Sequence, residues 1–241
     1  MNGFDFTGRR VLVTGATSGI GAAIAQAFLE GGAEVAITGT RAAARDYAAA
    51  LPGADYRRFQ LGDHASTEAL AASFDRLDIL INNAGATSAP EDFDAAIDVN
   101  LKGVHRLTTA LAPLLERSDM PGGGAVVSIV SMMAIFGNSI FPGYSAAKAG
   151  LLLLTRSLAQ GWGPRGIRVN AVAPGPVRTA MTARFADDPV YGPGTAQRMA
   201  LGRWGDPADI AGPVLFLASP AAAFVTGECL VASGGYMIAE A

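Results

Sequence analysis

An open, doubly wound α/β domain, with one parallel sheet of about seven strands and helices on both faces, is the fold class that this 241-residue chain predicts. Three observations carry it. Short apolar runs alternate with longer segments of helical period almost from end to end, the pattern of repeated βαβ units, whose right-handed crossovers lay helices over both faces of a parallel sheet. Half of the residues are apolar, and a chain of this length can bury roughly 70–75% of its unfolded surface, so it needs neither disulfides nor a metal to fold. No Pro/Ser-rich linker or long charge run divides it, which makes one domain over residues 1–241 the economical reading.

The elements follow in order. RRVLVTG opens with a β-branched apolar run that ends in glycine, a first strand. GIGAAIAQAFLEGGA places apolar residues at helical period and stops at a glycine pair, a first helix. EVAITG reads as the second strand. Strands are then expected at residues 55–60, 77–82, 125–131, 167–172 and 228–231, and helices at 66–74, 93–116, 144–161 and 207–218. The exception is the stretch from Pro174 to about Gly205, dense in Pro and Gly, which reads as a substrate loop inserted at residues 176–205. Loops of that length in compact domains are commonly functional lids.

Charge and composition exclude several partners. Eighteen basic against 21 acidic side chains leave a formal charge of −3, without the concentrated positive field that nucleic acid or an anionic membrane requires. Even AVVSIVSMMAIF is too short to cross a bilayer and is broken by serines. The opening MNGFDFTGRR lacks the apolar core of a secretion signal, so a cytoplasmic location is expected. Cys229 is a lone cysteine, which rules out an internal disulfide.

Two stretches carry chemistry. TGATSGIG, residues 14–21, lies between the first strand and the first helix, where a pyrophosphate would meet free N–H groups and the positive end of the helix dipole in a Rossmann-type sheet. Its glycines, Gly15, Gly19 and Gly21, also fit a tight turn that merely lets helix and strand pack closely; the lysine of a phosphate-transferring P-loop is missing. YSAAKAG, residues 144–150, sets Tyr144 and Lys148 one helical turn apart on one face. A phenol with a pKa of about 10 is a poor proton exchanger near neutrality, and a neighbouring positive charge can lower it by about 1–3 units. Ser131 stands at the C-terminal end of the fifth strand, where open α/β sheets bind ligands, and its hydroxyl can hold a substrate oxygen while Tyr144 moves a proton.

TGATSGIG, NNAG at 82–85, Asn100 in DVNLKG, Ser131 thirteen residues ahead of the tyrosine of YSAAK, and PGPVRT at 174–179 together resemble the short-chain dehydrogenases/reductases. The likeness is to their 3-oxoacyl-acyl-carrier-protein-reductase-like members. It covers nearly the whole chain in the family's order and spacing. It implies an NAD(P)-dependent oxidoreductase that transfers hydride between nicotinamide and a small-molecule carbonyl or secondary alcohol. By the same resemblance the catalytic residues are Asn100, Ser131, Tyr144 and Lys148, with Asn100 supporting a water relay to the lysine. Homo-oligomer formation, most often as a tetramer, is implied for the C-terminal FVTGECLVASGGYMIAEA, although Ser233 replaces an aspartate common before that Gly-Gly.

Cofactor identity turns on AITGTR at the end of the second strand. An acid there would bind both ribose hydroxyls of NAD and repel the 2′-phosphate of NADP. Gly39 stands at the family's acidic position, and Thr40 and Arg41 follow, with a guanidinium suited to a phosphate. NADP(H) is therefore favoured, with NAD(H) as the alternative. The resemblance places Thr17, Ser18 and Ile20 with the glycine turn against the cofactor, Gln60 and Leu61 beside the adenine with Asp63 as a substitute, and Asn83, Ala84 and Gly85 beside the adenine ribose. It places Pro174, Gly175, Val177 and Thr179 around the nicotinamide carboxamide, and Tyr144 and Lys148 also against the cofactor. Met132, Met133, Phe136, Phe141, Pro176, Met181, Phe185 and Tyr191 suggest an apolar or aromatic-tolerant substrate cleft; Arg178, Arg184 and Arg198 could recognise an acid or phosphate group but read more simply as surface residues. A catalytically silent nucleotide-binding regulator is the alternative from another class; the complete tetrad speaks against it.

Overall fold

The computed structural model describes residues 4–47, 51–87, 90–236 and 238. Residues 1–3 of the opening segment and residues 237 and 239–241 of the C-terminal tail read above lie outside the described residues. Seven strands form one sheet: β1 (Arg10–Val13), β2 (Glu34–Gly39), β3 (Asp55–Arg58), β4 (Ile79–Asn82), β5 (Gly124–Ile129), β6 (Ile167–Pro174) and β7 (Cys229–Ala232). Their order is β3-β2-β1-β4-β5-β6-β7, and every neighbouring pair is parallel. The chain builds outward from β1 in one direction and then, from β4, in the other. The crevice beyond β1 and β4 is therefore the switch point at which such sheets take ligands.

The helices are α1 (Gly19–Glu30), α2 (His64–Ala72), α3 (Phe93–Ile97), α4 (Val104–Leu115), α5 (Pro142–Trp162), α6 (Ala183–Ala186), α7 (Tyr191–Gln197) and α8 (Pro207–Ala218). Every residue of β4, β5 and β6 is buried, as strands covered on both faces must be. Along β4 the alternation of side chains divides the core in two. Ile79 and Ile81 join Ile24 and Phe28 of α1 and Val214 and Leu215 of α8, while Leu80 joins Leu107 and Leu111 of α4 and Leu151 of α5. Arg168 of β6 is buried without a carboxylate, and its guanidinium donates to the carbonyls of Gly122, Leu217, Ala218, Ser219 and Ala222. It thereby satisfies carbonyls at the C-terminal end of α8 that have no partner within the helix.

Two stretches depart from the sequence expectation. Residues 93–116 form a helix that is interrupted by a wider π-helical turn at Asp98–Gly103, centred on Asn100. The side-chain amide of Asn100 donates to the carbonyl of Ala96 one turn back, a local competition with the backbone that periodicity does not record. The segment at 176–205 is also not plain loop, since it contains α6 and α7. Asp188 accepts from the N–H groups of Val190 and Tyr191 at the start of α7, Trp204 Nε1 donates to the Gly192 carbonyl, and Val177 pairs with Gly205 so that the excursion is closed at its base.

Candidate active site

The C-terminal ends of β1, β4, β5 and β6 and the start of α5 converge on one region. At its centre, Ser131 follows β5 in an extended conformation and its Oγ accepts from Met133 N at 3.1 Å, starting the short turn Met132–Ala134. The Tyr144 phenol lies near enough to the same hydroxyl for Ser131 to pull its pKa down. Lys148, one turn further along α5, is buried; its Nζ donates to the Ile129 carbonyl at 2.7 Å and lies 5.5 Å from the centre of the Tyr144 ring. Asn100 is fully buried, with Oδ1 accepting from Ala86 N at 3.0 Å and Nδ2 donating to the carbonyls of Ala86 and Ala96, both at 2.9 Å. A methyl group added to Gly85 would stand 2.7 Å from Asn100 Oδ1 and 3.6 Å from Lys148 Nζ, so a bare backbone at Gly85 is what lets these groups approach. The four expected catalytic residues are thus brought together.

Their electrostatics differ from the sequence reading. Burial pushes the Tyr144 phenol up to about 12, and the nearby Ser131 pulls the other way. Burial likewise pushes the Lys148 ammonium down to about 8. In the chain by itself burial outweighs any lowering of the phenol by Lys148, because loss of water penalises both charged forms.

The start of α5 is held by a residue that the sequence did not single out. Both carboxylate oxygens of Glu91 accept backbone N–H groups, from Gly143 at 2.6 Å and from Tyr144 at 2.8 Å. A charged acceptor at the positive end of a helix fixes the first turn and with it the tyrosine.

Around the glycine turn, the glycines differ in the room that a side chain would have. Side chains on Gly15 and Gly21 would collide with protein, Gly15 with Ala84 Cα at 2.9 Å and Gly21 with Asn83 Nδ2 at 2.4 Å. Those two glycines are explained by close packing. Gly15 and Gly19 both have positive φ, +64° and +56°, but Gly19 has room beside it and faces Thr179 Cγ2 at an ordinary 3.4 Å. Ser18 makes no side-chain cap bond at the start of α1, and the first turn carries no acidic residue. Ile20 packs against the core. The first-turn N–H groups of α1 are thus uncapped by side chains and suited to a pyrophosphate.

Other expected contacts divide in the same way. The Asn83 side chain donates to the carbonyls of Thr14 and Gly15, tying β4 to the turn. Asp63 caps α2 by accepting from Ala65 and Ser66, which removes it as the adenine partner, whereas Gln60 is exposed and Leu61 buried. Gly175 presses on Ser233, with a would-be methyl 2.6 Å from its Cα. Val177 is buried, and Thr179 sits over the cleft with its N–H donating to Thr182 Oγ1. Met132 and Phe141, expected in the substrate cleft, are core residues; Phe136, Met181 and Tyr191 are exposed. Arg178 pairs with Asp187.

The likeness to known proteins extends over nearly the whole chain. Residues 15–237 match the family described as enoyl-(acyl carrier protein) reductase. The chain is 38% identical to the D-threitol dehydrogenase of Mycolicibacterium smegmatis, over 98% of this chain and 96% of that one. It is also 38% identical to the 3-oxoacyl-acyl-carrier-protein reductase of Escherichia coli K12, over 97% of this chain and all of that one. Among solved structures, the gluconate 5-dehydrogenase of Burkholderia cenocepacia in complex with NADP and tartrate superposes with a TM-score of 0.87 at 30% identity, covering 98% of each chain.

Proposed function

The chain belongs to the short-chain dehydrogenase/reductase family of NAD(P)-dependent oxidoreductases, which act on alcohol and carbonyl groups, and on that premise we propose that it transfers hydride between NADP(H) and a small carbonyl/secondary-alcohol pair. The observation that carries the reading is the convergence of Tyr144 and Ser131 in one site, with the Lys148 Nζ 5.5 Å from the centre of the Tyr144 ring and Asn100 buried against Gly85. A bound nicotinamide nucleotide supplies or accepts the hydride. Ser131 Oγ orients the substrate oxygen. With a phenol pushed up to about 12, Tyr144 stays protonated at neutral pH and gives its proton to an oxygen that becomes an alkoxide in reduction. Oxidation asks Tyr144 to accept that proton, and there a protonated Lys148 favours the phenolate. Asn100 holds the backbone of Ala86 beside Gly85 and thereby fixes the wall behind Lys148.

NADP(H) is supported by Gly39 and Thr40 in place of an acid and by Arg41, which makes no ion pair with a carboxylate among the described residues. The glycine turn, the uncapped start of α1 and Thr179 opposite Gly19 fit the nucleotide's phosphates and nicotinamide arm. The reading extends to a cytoplasmic homotetramer. Leu153 on α5, and Phe224 and Val231 at the β7 edge, expose apolar area that further copies of the chain would cover.

Steady-state assays of Tyr144→Phe over a panel of carbonyls and alcohols test the mechanism. Turnover should fall by about 100-fold or more, with NADPH binding unchanged. Wild-type turnover in that variant sinks the assignment.

A further inference from the structure

Gly39 closes β2, at the place where a carboxylate would select NAD. In this chain the space is already filled. A methyl group built on Gly39 would lie 2.5 Å from the hydroxyl of Tyr47, 2.8 Å from its Cζ and 2.7 Å from Thr17 Cγ2. Tyr47 is not free to swing away, because its hydroxyl accepts the backbone N–H of Arg41 at 2.8 Å.

The other backbone polar group of the same residue is held as well. Tyr56 Oη donates to the Arg41 carbonyl at 2.6 Å, and the two phenol rings lie 5.9 Å apart at 53°. The Arg41 guanidinium sits 4.8 Å from the centre of the Tyr47 ring and donates to the Asp46 carbonyl. Two phenols therefore hold the Arg41 backbone from both sides, and one of them also carries its guanidinium on a ring face. A flexible arginine becomes a pre-positioned cation whose charge no carboxylate among the described residues neutralises. Less ordering remains to be done when an anion binds.

We infer that Tyr47, supported by Tyr56, is the positioning residue for nucleotide selection: it holds Arg41 toward the 2′-phosphate of NADP and denies position 39 to a carboxylate that would favour NAD. This rests on the NADP(H) reading above and deepens it. One consequence follows that residue types alone do not give. Placing an acid at position 39 does not turn the protein toward NAD unless the Tyr47 ring is removed with it.

Dissociation constants for NADPH and NADH, read from nicotinamide fluorescence on the purified full chain, test this without any turnover. The wild type should prefer NADPH, and Arg41→Ala should abolish that preference; equal affinities in the wild type overturn the NADP(H) reading. Tyr47→Phe keeps the ring and removes the acceptor, so NADPH affinity should fall about fivefold, with NADH affinity unchanged. Gly39→Asp alone should not improve NADH binding, whereas Gly39→Asp with Tyr47→Ala should improve it about tenfold over the single variant. The inference is overturned if Tyr47→Phe leaves the ratio of the two affinities at its wild-type value. It is equally overturned if Gly39→Asp gains as much NADH affinity alone as in the double variant, a comparison that does not involve the 2′-phosphate. Unchanged NADH binding in Tyr47→Phe also shows that this variant is folded, so the test stands if an alanine variant does not fold.

Discussion

Lys148 and Tyr144 leave opposite signatures on stability, because burial moves each toward its neutral form. Folded, Lys148 releases its proton at about 8, against 10.5 for the ordinary amine. Between those values the unfolded chain binds more protons, so stability rises with pH, by about 2 kcal/mol from about pH 7.5 to about pH 9.5. Below the folded value both states are protonated and the cost of the buried ammonium is present in full. Tyr144 acts higher: its phenol keeps the proton up to about 12 folded and 10 unfolded, so stability falls again across that interval. Urea unfolding at the two lower pH values should show the rise in wild type and its absence in Lys148→Met. An equal rise in both proteins places the pH dependence elsewhere. The i,i+4 spacing of this pair was legible in YSAAK, but the direction of the phenol's shift was not, since it depends on how much of α5 is covered by other parts of the chain.

At the scale of elements, α5 owes its entry geometry to a contact between residues 52 and 53 positions apart in sequence, in which Glu91 binds the N–H groups of Gly143 and Tyr144. Replacing Glu91 with alanine leaves the first turn without its acceptor and should cost about 1–2 kcal/mol in thermal or urea unfolding. Glu91→Gln keeps an acceptor oxygen and should recover part of that. No loss in the alanine variant would show that solvent caps α5 equally well. Sequence reading found α5 to within two residues because a long helix with regular apolar spacing announces itself. It missed Glu91, which sits in an irregular stretch with no periodicity, and it missed α6 and α7, whose short turns depend on Asp188 and Trp204 contacts. The π turn at Asn100 escaped for a related reason: a helix pattern continues through it, and only the side-chain bonds to Ala86 and Ala96 reveal the widening.

At the scale of the molecule, the order β3-β2-β1-β4-β5-β6-β7 gathers at one sheet edge the ends of strands that are far apart in sequence. The right-hand part of that sheet is tied to α8 by Arg168, whose donors reach five carbonyls around the end of α8 and the turns that flank it. Arg168→Leu would keep much of the bulk and strand those carbonyls away from water. Their lost partners should lower stability by about 3 kcal/mol, a drop of roughly 10 °C in Tm for a chain of this size. Differential scanning calorimetry reads this directly. An unchanged Tm would mean that the carbonyls find water once the guanidinium is gone.

By itself, the sequence determined the alternation of strands and helices, the parallel sheet, and the family-like spacing of Asn100, Ser131, Tyr144 and Lys148. Those properties are written in local periodicity and in residue types at fixed separations. Tertiary structure decided which glycines have no room for a side chain, because Ala84 presses against Gly15 and Asn83 against Gly21. It also decided that Asp63 is a helix cap, that the phenol is raised instead of lowered, and that the apparently missing acid at Gly39 is a space taken by Tyr47. Each of these depends on a neighbour brought close by folding, and burial and contact between distant segments leave no mark on the spacing of the chain.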